Sequence, residues 1–438
     1  MQPSAHFASF AEFADHLDKL GLFRMRPELG KLRTVLHRLA PEKPRAVIQI
    51  AGTNGKGSTA TFLASLAQAH GLRVGLFTSP HFVSFRERIR INNAPISEEQ
   101  LLQGANCIMN AGGEALTYFE FVTALAAILF AGNSPEAVDI AIMETGLGGS
   151  WDAVTALDID LIAYTPIALD HCRVLGTSIT AIATDKAGAI RGKVPVYSAG
   201  QNPDALRVLR EKAAASGSSF YSVKEKDSLP GSIREGEVLL GLSGEHQYGN
   251  AGLALAVWRH IADGNGWLSS EEKEIHGLAH AFIPGRMQCV PVSEKHGHPA
   301  LLLDGAHNGH GIAALGKTLK TQGITPSAVI FSCLEDKSPA EMAVHLRTLA
   351  TGPIFTPPIK NNPRAMAPEV LVRALGPTAS PVADMAEALA LAREYVAVHK
   401  AKEAAQAPER HPVLICGSLY MLGEFFTLRP DCLEKERV

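Results

Sequence analysis

The eight residues Ala51-Gly-Thr-Asn-Gly-Lys-Gly-Ser58 constrain this chain more than any other stretch. They follow Ala46–Ile50 (AVIQI), which reads as a strand. They lead into Ser58–His70, which reads as a helix with Leu63, Leu66 and Ala67 on one side and Gly71 at its end. A strand that passes into a helix through so short a glycine loop belongs to α/β architecture. The glycines let the backbone bend so that its N–H groups face one point, and the helix N-terminus adds partial positive charge there. Lys56 can then reach the outer phosphates of a nucleoside triphosphate, and Ser58 supplies a hydroxyl near the phosphates or a metal. The spacing departs from GxxxxGK[ST], because Gly57 stands between Lys56 and Ser58. The plain alternative is a glycine turn with a solvated lysine, which the strand-to-helix context disfavours.

Further apolar runs extend the same rhythm. Val74–Thr78, Val138–Met143, Leu161–Thr165 and Val194–Tyr197 read as strands, and alternation with helical patterns implies a largely parallel sheet. Phe121–Ala131 is too short to span a bilayer and reads as a buried helix. The stretch Ala214–Gly244 breaks the rhythm and is expected to form short antiparallel strands or loops, with a helix following near Asn250–His260. A second alternation follows Pro284-Gly-Arg286, with strands at Ala300–Leu303, Ala328–Phe331, Pro353–Phe355 and Val413–Cys416 and a helix over Ala383–Val398. At 438 residues the chain exceeds one ordinary core. The expected division is 1–288, a P-loop ATP-binding domain, and 289–438, a smaller Rossmann-like domain. Lys400–Arg410, polar and alanine-rich, reads as an exposed helix end.

Composition bears on partners. The net charge of -3 and the lack of a basic run speak against nucleic acid. The six cysteines form no CxxC pair, so neither a zinc site nor a disulfide framework is expected. The first residues lack a basic start followed by an apolar run, so no signal peptide is read and a cytoplasmic protein is expected, with no membrane partner.

Glu144 ends the run VDIAIME and precedes Thr145-Gly-Leu-Gly-Gly149. A carboxylate at that strand end sits beside the phosphate loop, where a magnesium ion on the phosphates needs an oxygen ligand. Asp170-His171 and Lys186 carry no comparable signal by themselves. They gain meaning from a pattern. AGTNGKGST, TSPH followed by RERI, LTYFEFVTALA, METGLGG, ALDH followed by LG, DKAG, HQYGNA, PGRMQ, LDGAHN and CGSLYMLGE occur in this order. Together they resemble the dihydrofolate synthase/folylpolyglutamate synthase family, a branch of the Mur-ligase-like superfamily. The resemblance spans about residues 20 to 424. LTYFEF, PGRMQ and GSLY favour the folate branch over the cell-wall ligases.

The resemblance implies an ATP-dependent ligase that adds L-glutamate to dihydropteroate, to reduced folates, or to both, through an acyl phosphate, and acts as a monomer. By the same resemblance, Asn54, Gly55, Lys56, Gly57 and Ser58 cradle ATP, and Asn250, Arg286 and Asp304 contact it. Ser79 and Glu144 hold one Mg2+; His171 and Lys186 serve a second, with Lys186 as an N-carboxylated lysine. Lys56, His171 and Lys186 are the implied catalytic groups. Thr117, Tyr118, Phe119, Glu120, Trp151, Asp152 and Ala153 line the pterin pocket, and His307 and Ser418 lie where glutamate is expected. The chain departs from the family's GLGGR-LDATN at Ser150 and Trp151, carries Gly309 where AHNP has proline, and has Asp185 in place of glutamate. The first two changes keep a second reading open, a Mur-like ligase acting on a different carboxylic acid. A nucleotide-binding regulator without ligase chemistry would require a broken metal set, and all four of its residues are present.

Overall fold

The computed structural model describes residues 6–21, 28–224, 228–349, 351–360, 362–399 and 407–434. The chain divides into two compact units. The first comprises Met1–Gly241 and Gln247–Ala281; the second comprises Leu242–His246 and Phe282–Val438. Most of the segment 400–410 expected as a helix end falls in 400–406, outside the described residues.

The first unit is built on an eight-stranded sheet. Its strands are β1 (Ala46–Ala51), β2 (Val74–Phe77), β3 (Ile89–Ile91), β4 (Ala94–Pro95), β5 (Ile140–Glu144), β6 (Leu161–Tyr164), β7 (Val196–Ser198) and β8 (Phe220–Ser222), in the order β4-β3-β2-β5-β1-β6-β7-β8. Only β3 and β4 run antiparallel to their neighbours. β1 and β5 are buried along their whole lengths, which is why both read as continuous apolar runs. β1 lies between β5 and β6 and runs parallel to both, so three strand ends open along the carboxyl end of the sheet: Ala51, Glu144 and Tyr164.

Two expectations need correction. The helix after the phosphate loop spans Lys56–Ala69, and every residue from Ser58 to Ala67 is buried. It has no single apolar side, because the sheet lies against one face and the helix Glu271–His280 against another. Among its described residues, the stretch 214–244 forms no antiparallel strands, and most of it is loop, the other form expected. The helix Pro203–Ser216 runs into it, β8 pairs parallel with β7, and Gly231–Arg234 makes one helical turn. A helix between two strands returns the chain to the same sheet edge, which produces parallel pairing.

The second unit carries a six-stranded sheet of β9 (Gln288–Val290), β10 (Leu301–Leu303), β11 (Ala328–Phe331), β12 (Ile354–Thr356), β13 (Ala379–Pro381) and β14 (Val413–Cys416), ordered β13-β12-β11-β14-β10-β9. All pairs are parallel except β9 with β10. All six cysteines are free thiols. Among the described residues, no helix is long and apolar enough to cross a membrane.

Candidate active site

The phosphate loop leaves β1 at Ala51. Gly55 adopts φ 91°, a left-handed conformation, and a Cβ there would collide with the Asn250 amide. The loop is tied to the chain beyond β6. Thr53 and Asn54 N–H both donate to Pro166 O (3.0 and 3.3 Å), and Thr53 Oγ1 pairs with Ala168 through both its backbone groups. Those bonds occupy the first N–H groups of the loop and leave the turn from Gly55 into the helix as its anion-facing part.

Two lysines sit on this loop. Lys56 Nζ donates to Thr53 O at 3.1 Å, and Lys186 Nζ donates to Gly52 O at 2.7 Å. Two amines thus bind successive carbonyls. Lys186 is 4% exposed. Burial, and then the neighbouring Lys56 ammonium, pull its amine from 10.5 down to about 7, against the opposing pull of Asp185, Asp170 and Asp152. Lys186 is held by its backbone as well, since Tyr164 Oη donates to Lys186 O at 2.9 Å.

Glu144, at the end of β5, is 4% exposed. Its Oε2 accepts from Ser79 N–H at 3.0 Å and lies 3.6 Å from where a Cβ on Gly57 would stand. The structure therefore brings Ser79, Glu144 and the loop together. An anionic oxygen, a hydroxyl residue and an anion-binding turn at one spot suit a hard divalent cation, which prefers oxygen ligands. Among the described residues, no three His, Cys, Asp or Glu side chains form a metal-holding group. The expected ligand set needs none, because it contains only Glu144 and His171 of those types. His171 sits at φ 49° before the one-turn helix Cys172–Leu175, and its N–H donates to Asp170 Oδ1 at 2.8 Å.

The residues expected to line an acid-substrate pocket divide into two groups. Several are occupied by local structure. Thr117 and Glu120 form a reciprocal cap on the helix Tyr118–Phe130, with Thr117 N–H donating to Glu120 Oε2 at 2.7 Å. Asp152 caps the 3-10 helix Ala153–Ala156: its carboxylate accepts from Gly146, Leu147 and Val154 N–H at 2.9 to 3.0 Å. Burial raises the Asp152 carboxyl to about 6, while those N–H groups oppose the rise. Ala153 is a core residue. The other three are aromatic: Tyr118 is buried, Phe119 half-buried and Trp151 exposed. Phe119 packs its ring against Phe77 at 5.7 Å and lies over Gly146. Tyr118 lies beneath the Arg88 guanidinium, 5.5 Å from its centre. Trp151 is 48% exposed.

In the second unit, Arg286 lies against Gly305, and the Asp304 carboxylate accepts from Met287 N–H (3.0 Å) and Ala306 N–H (2.8 Å). His307 Nδ1 is 2.8 Å from Gly305 O. Ser418 is buried and caps the helix Leu419–Leu428, its hydroxyl accepting from Tyr420 N–H at 3.1 Å. These residues cluster around the ends of β10 and β14.

Three polar residues at the site escaped the sequence reading. Gln247 Nε2 donates to Ser58 Oγ at 3.4 Å, and Asn250 Nδ2 donates to Gln247 Oε1 at 2.8 Å, which chains the helix Glu245–Asn265 to the loop. The HQYGN spacing held the signal, since positions three apart share a helix face. Gln49, inside β1, donates to both Thr145 Oγ1 and Thr155 Oγ1 at 3.1 Å and so joins the two turns around Glu144 and Asp152. A polar residue within an apolar strand run was its only mark. His81 accepts from Arg88 Nε at 2.8 Å, and burial followed by that guanidinium pushes its imidazole down to about 3.

Known proteins resemble this chain along most of its length. Residues 285–419 match the family model "Mur ligase, glutamate ligase domain". The chain is 36% identical over 353 residues to a Bacillus subtilis dihydrofolate synthase/folylpolyglutamate synthase, covering 75% of this chain and 80% of that one. An E. coli FolC structure in complex with DHPP and ADP superposes with a TM-score of 0.81 at 27% identity, over 98% of this chain and 99% of the other. A Yersinia pestis bifunctional folylpolyglutamate synthase/dihydrofolate synthase complexed with AMPPNP and Mn ion gives 0.79 at 28% identity, over 98% and 100%. A glycine loop bound by two lysines, a carboxylate at the adjacent strand end and a C-terminal match to a glutamate-ligase domain thus coincide with sequence likeness along most of the chain, and the chain belongs to the dihydrofolate synthase/folylpolyglutamate synthase family of ATP-dependent glutamate ligases.

Proposed function

We propose that this chain joins the α-amine of L-glutamate to the carboxylate of dihydropteroate, of a reduced folate, or of both, at the expense of ATP. The observation that carries the reading is the pair of lysines on successive loop carbonyls beside Glu144. A free carboxylate does not exchange its oxygen for an amine at a useful rate, so it must first be activated. The substrate carboxylate attacks the γ-phosphate, ADP leaves, and an acyl phosphate forms. The glutamate amine attacks the acyl carbon, and phosphate departs with the carboxylate oxygen. Lys56 and the N–H groups from Gly55 onward offset the charge that builds on the transferring phosphoryl group. Ser79 and Glu144 would hold one Mg2+, and His171 and Lys186 a second; Mg2+ on the phosphates supplies Lewis-acid charge neutralisation.

Lys186 fits its role as an N-carboxylated lysine on physical grounds. Only a neutral amine adds CO2, giving a carbamate and releasing a proton. An amine drawn down to about 7 is largely neutral at pH 8. The carbamate then puts an anion beside the Lys56 ammonium, where a protonated Lys186 would have opposed it. Arg286, Asp304 and Asn250 are the proposed nucleotide contacts, and His307 and Ser418 the proposed glutamate contacts. Phe119, Tyr118 and Trp151 are the proposed walls for the pterin. We place the protein in the cytoplasm as a monomer.

The second reading, a ligase acting on a different acid, rests on the exposed Trp151 and its neighbour Ser150. Purified protein with ATP and glutamate, offered dihydropteroate, tetrahydrofolate or a UDP-muramoyl acid, separates the two. Phosphate release that requires glutamate and a pterin acid supports the proposal. Release with only the muramoyl acid overturns it.

A further inference from the structure

We propose that His276 and His280 form a surface site for a single transition-metal cation of the Cu2+, Ni2+ and Zn2+ class, separate from the Mg2+ chemistry of the loop. Both lie on the helix Glu271–His280. One face of that helix is buried: Glu274, Gly277 and Leu278 point inward. A Cβ on Gly277 would meet the Leu66 backbone at 2.8 Å, and Ser65 Oγ donates to Gly277 O at 2.7 Å, so the helix is clamped against Lys56–Ala69. Its N-terminal end is held by Ser270 N–H donating to His70 Nε2 at 3.2 Å. The scaffold that carries the two histidines is therefore held at both ends.

His276 and His280 are exposed and four residues apart, which sets their side chains one above the other on a helix face. Their rings already stack, with centroids 4.0 Å apart and planes 27° from parallel. The stack keeps both rings in one small patch, and binding one ion turns a ring out of the stack about its own side-chain bonds so that both lone pairs converge. His280 Nδ1 lies 2.8 Å from His276 O. A carbonyl oxygen only accepts, so this contact places the proton on Nδ1 and leaves the Nε2 lone pair available. A ligating imidazole commonly donates its other N–H to a backbone carbonyl in this way, which fixes both tautomer and ring direction.

The donor set decides the ion. Two imidazole nitrogens suit Cu2+, Ni2+ and Zn2+, with Cu2+ bound most tightly in the usual order of divalent affinities. Mg2+ prefers oxygen ligands and does not compete. Among the described residues, no group of three or more His, Cys, Asp or Glu side chains forms a metal site, so water fills the remaining positions. The site is accordingly an exchangeable one, unlike a closed structural zinc centre.

The test uses tag-free, full-length protein without nucleotide. One equivalent of Cu2+ should give an electron paramagnetic resonance spectrum with hyperfine structure from two imidazole nitrogens. Calorimetric titration should find Zn2+ bound more weakly at the same site. His276→Ala and His280→Ala should each weaken Cu2+ binding tenfold or more, and the double variant should lose the two-nitrogen signal. Millimolar Mg2+ should leave binding unchanged. Zn2+ should raise the wild-type melting temperature in a concentration-dependent way, and the double variant should not respond. Circular dichroism checks that the variants fold, and His276→Gln with His280→Gln gives a second, polar pair. Cu2+ bound with the same affinity and nitrogen count in either double variant, no such site in the wild type, or displacement by Mg2+ overturns the proposal.

Discussion

Replacing Lys186 with methionine should make the first unit more stable while ending catalysis. The lysine amine falls from 10.5 in the unfolded chain to about 7 when buried. Below pH 7 both states carry the proton, and the folded state bears the whole cost of a charge in a poorly solvated place. Between 7 and 10.5 the unfolded chain holds a proton that the folded chain has released, so stability rises with pH across that window. Above 10.5 the cost is gone. At about 1.4 kcal/mol per pH unit, the full cost is about 5 kcal/mol. Methionine is close in size, carries no charge and removes that cost, but it forfeits the hydrogen bond to Gly52 O, worth about 1.5 kcal/mol. The variant should therefore be more stable than wild type by about 3 kcal/mol at pH 6.5, with the gap closing to under about 1 kcal/mol at pH 9. Urea titration followed by tryptophan fluorescence reads this directly, because Trp151, Trp258 and Trp267 all lie in the first unit. Chelator and CO2-free buffer keep the lysine unmodified and free of metal. A variant no more stable than wild type at pH 6.5, or a gap that does not shrink as pH rises, refutes the reasoning.

Four further outcomes follow from the same geometry. Lys56→Ala should abolish ATP-dependent phosphate release while the fluorescence-detected urea transition stays in place; turnover near the wild-type rate in a folded variant would remove Lys56 from the mechanism. Gly55→Ala should cost about 2–4 kcal/mol, from left-handed backbone strain and the displaced Asn250 amide, and should weaken ATP binding in an equilibrium titration. Asp152→Ala should cost about 2–4 kcal/mol in the urea assay, because three backbone N–H groups lose their acceptor. Trp151→Leu should change stability by less than about 0.5 kcal/mol, as exposed substitutions do, while shifting KM for dihydropteroate and not for ATP; unchanged KM for both would take Trp151 out of the pocket.

Legibility in the sequence followed the range of the interaction that fixes each residue. The loop was readable because its strand, glycines and helix are contiguous, and Glu144 because its strand end is. The contact between Lys186 and Gly52 O was not, since 134 residues separate the partners and only the fold makes them neighbours. Lys186 entered through the matched DKAG run alone. The parallel pairing of β8 was missed because the helix Pro203–Ser216 was not read as a crossover between two strands. Thr117 and Glu120 show the opposite lesson. Thr-x-x-Glu before an apolar run is a capping signature, and the structure uses both side chains in that way. The resemblance had assigned them to a pocket wall, yet their polar atoms are bonded to each other's backbone.

Lys56 and Lys186 illustrate how burial, not residue type, separates chemical roles. Each amine binds a carbonyl of the same loop, one residue apart. Lys186, 4% exposed and facing the Lys56 ammonium, is pushed toward the neutral form. A neutral amine is the form that reacts with CO2, and its product carries the opposite sign. If Lys186 also stayed cationic, two ammonium groups would stand where a divalent cation is needed, and at about 4 Å even an effective dielectric of 20 makes each ammonium's repulsion of that ion about 8 kcal/mol. A site that must gather Mg2+ therefore gains from making one of its two lysines poor at holding a proton. Asp152 and Asp185 do not undo this. They are near enough to raise the Lys186 amine, but their pull is smaller than the cost of burial, and Asp152 is itself raised to about 6 by the same dry surroundings. The pH range in which Lys186 becomes reactive is thus set by the packing around DKAG and GLGG, which makes those turns, as much as the lysine, the determinant of how the site is charged.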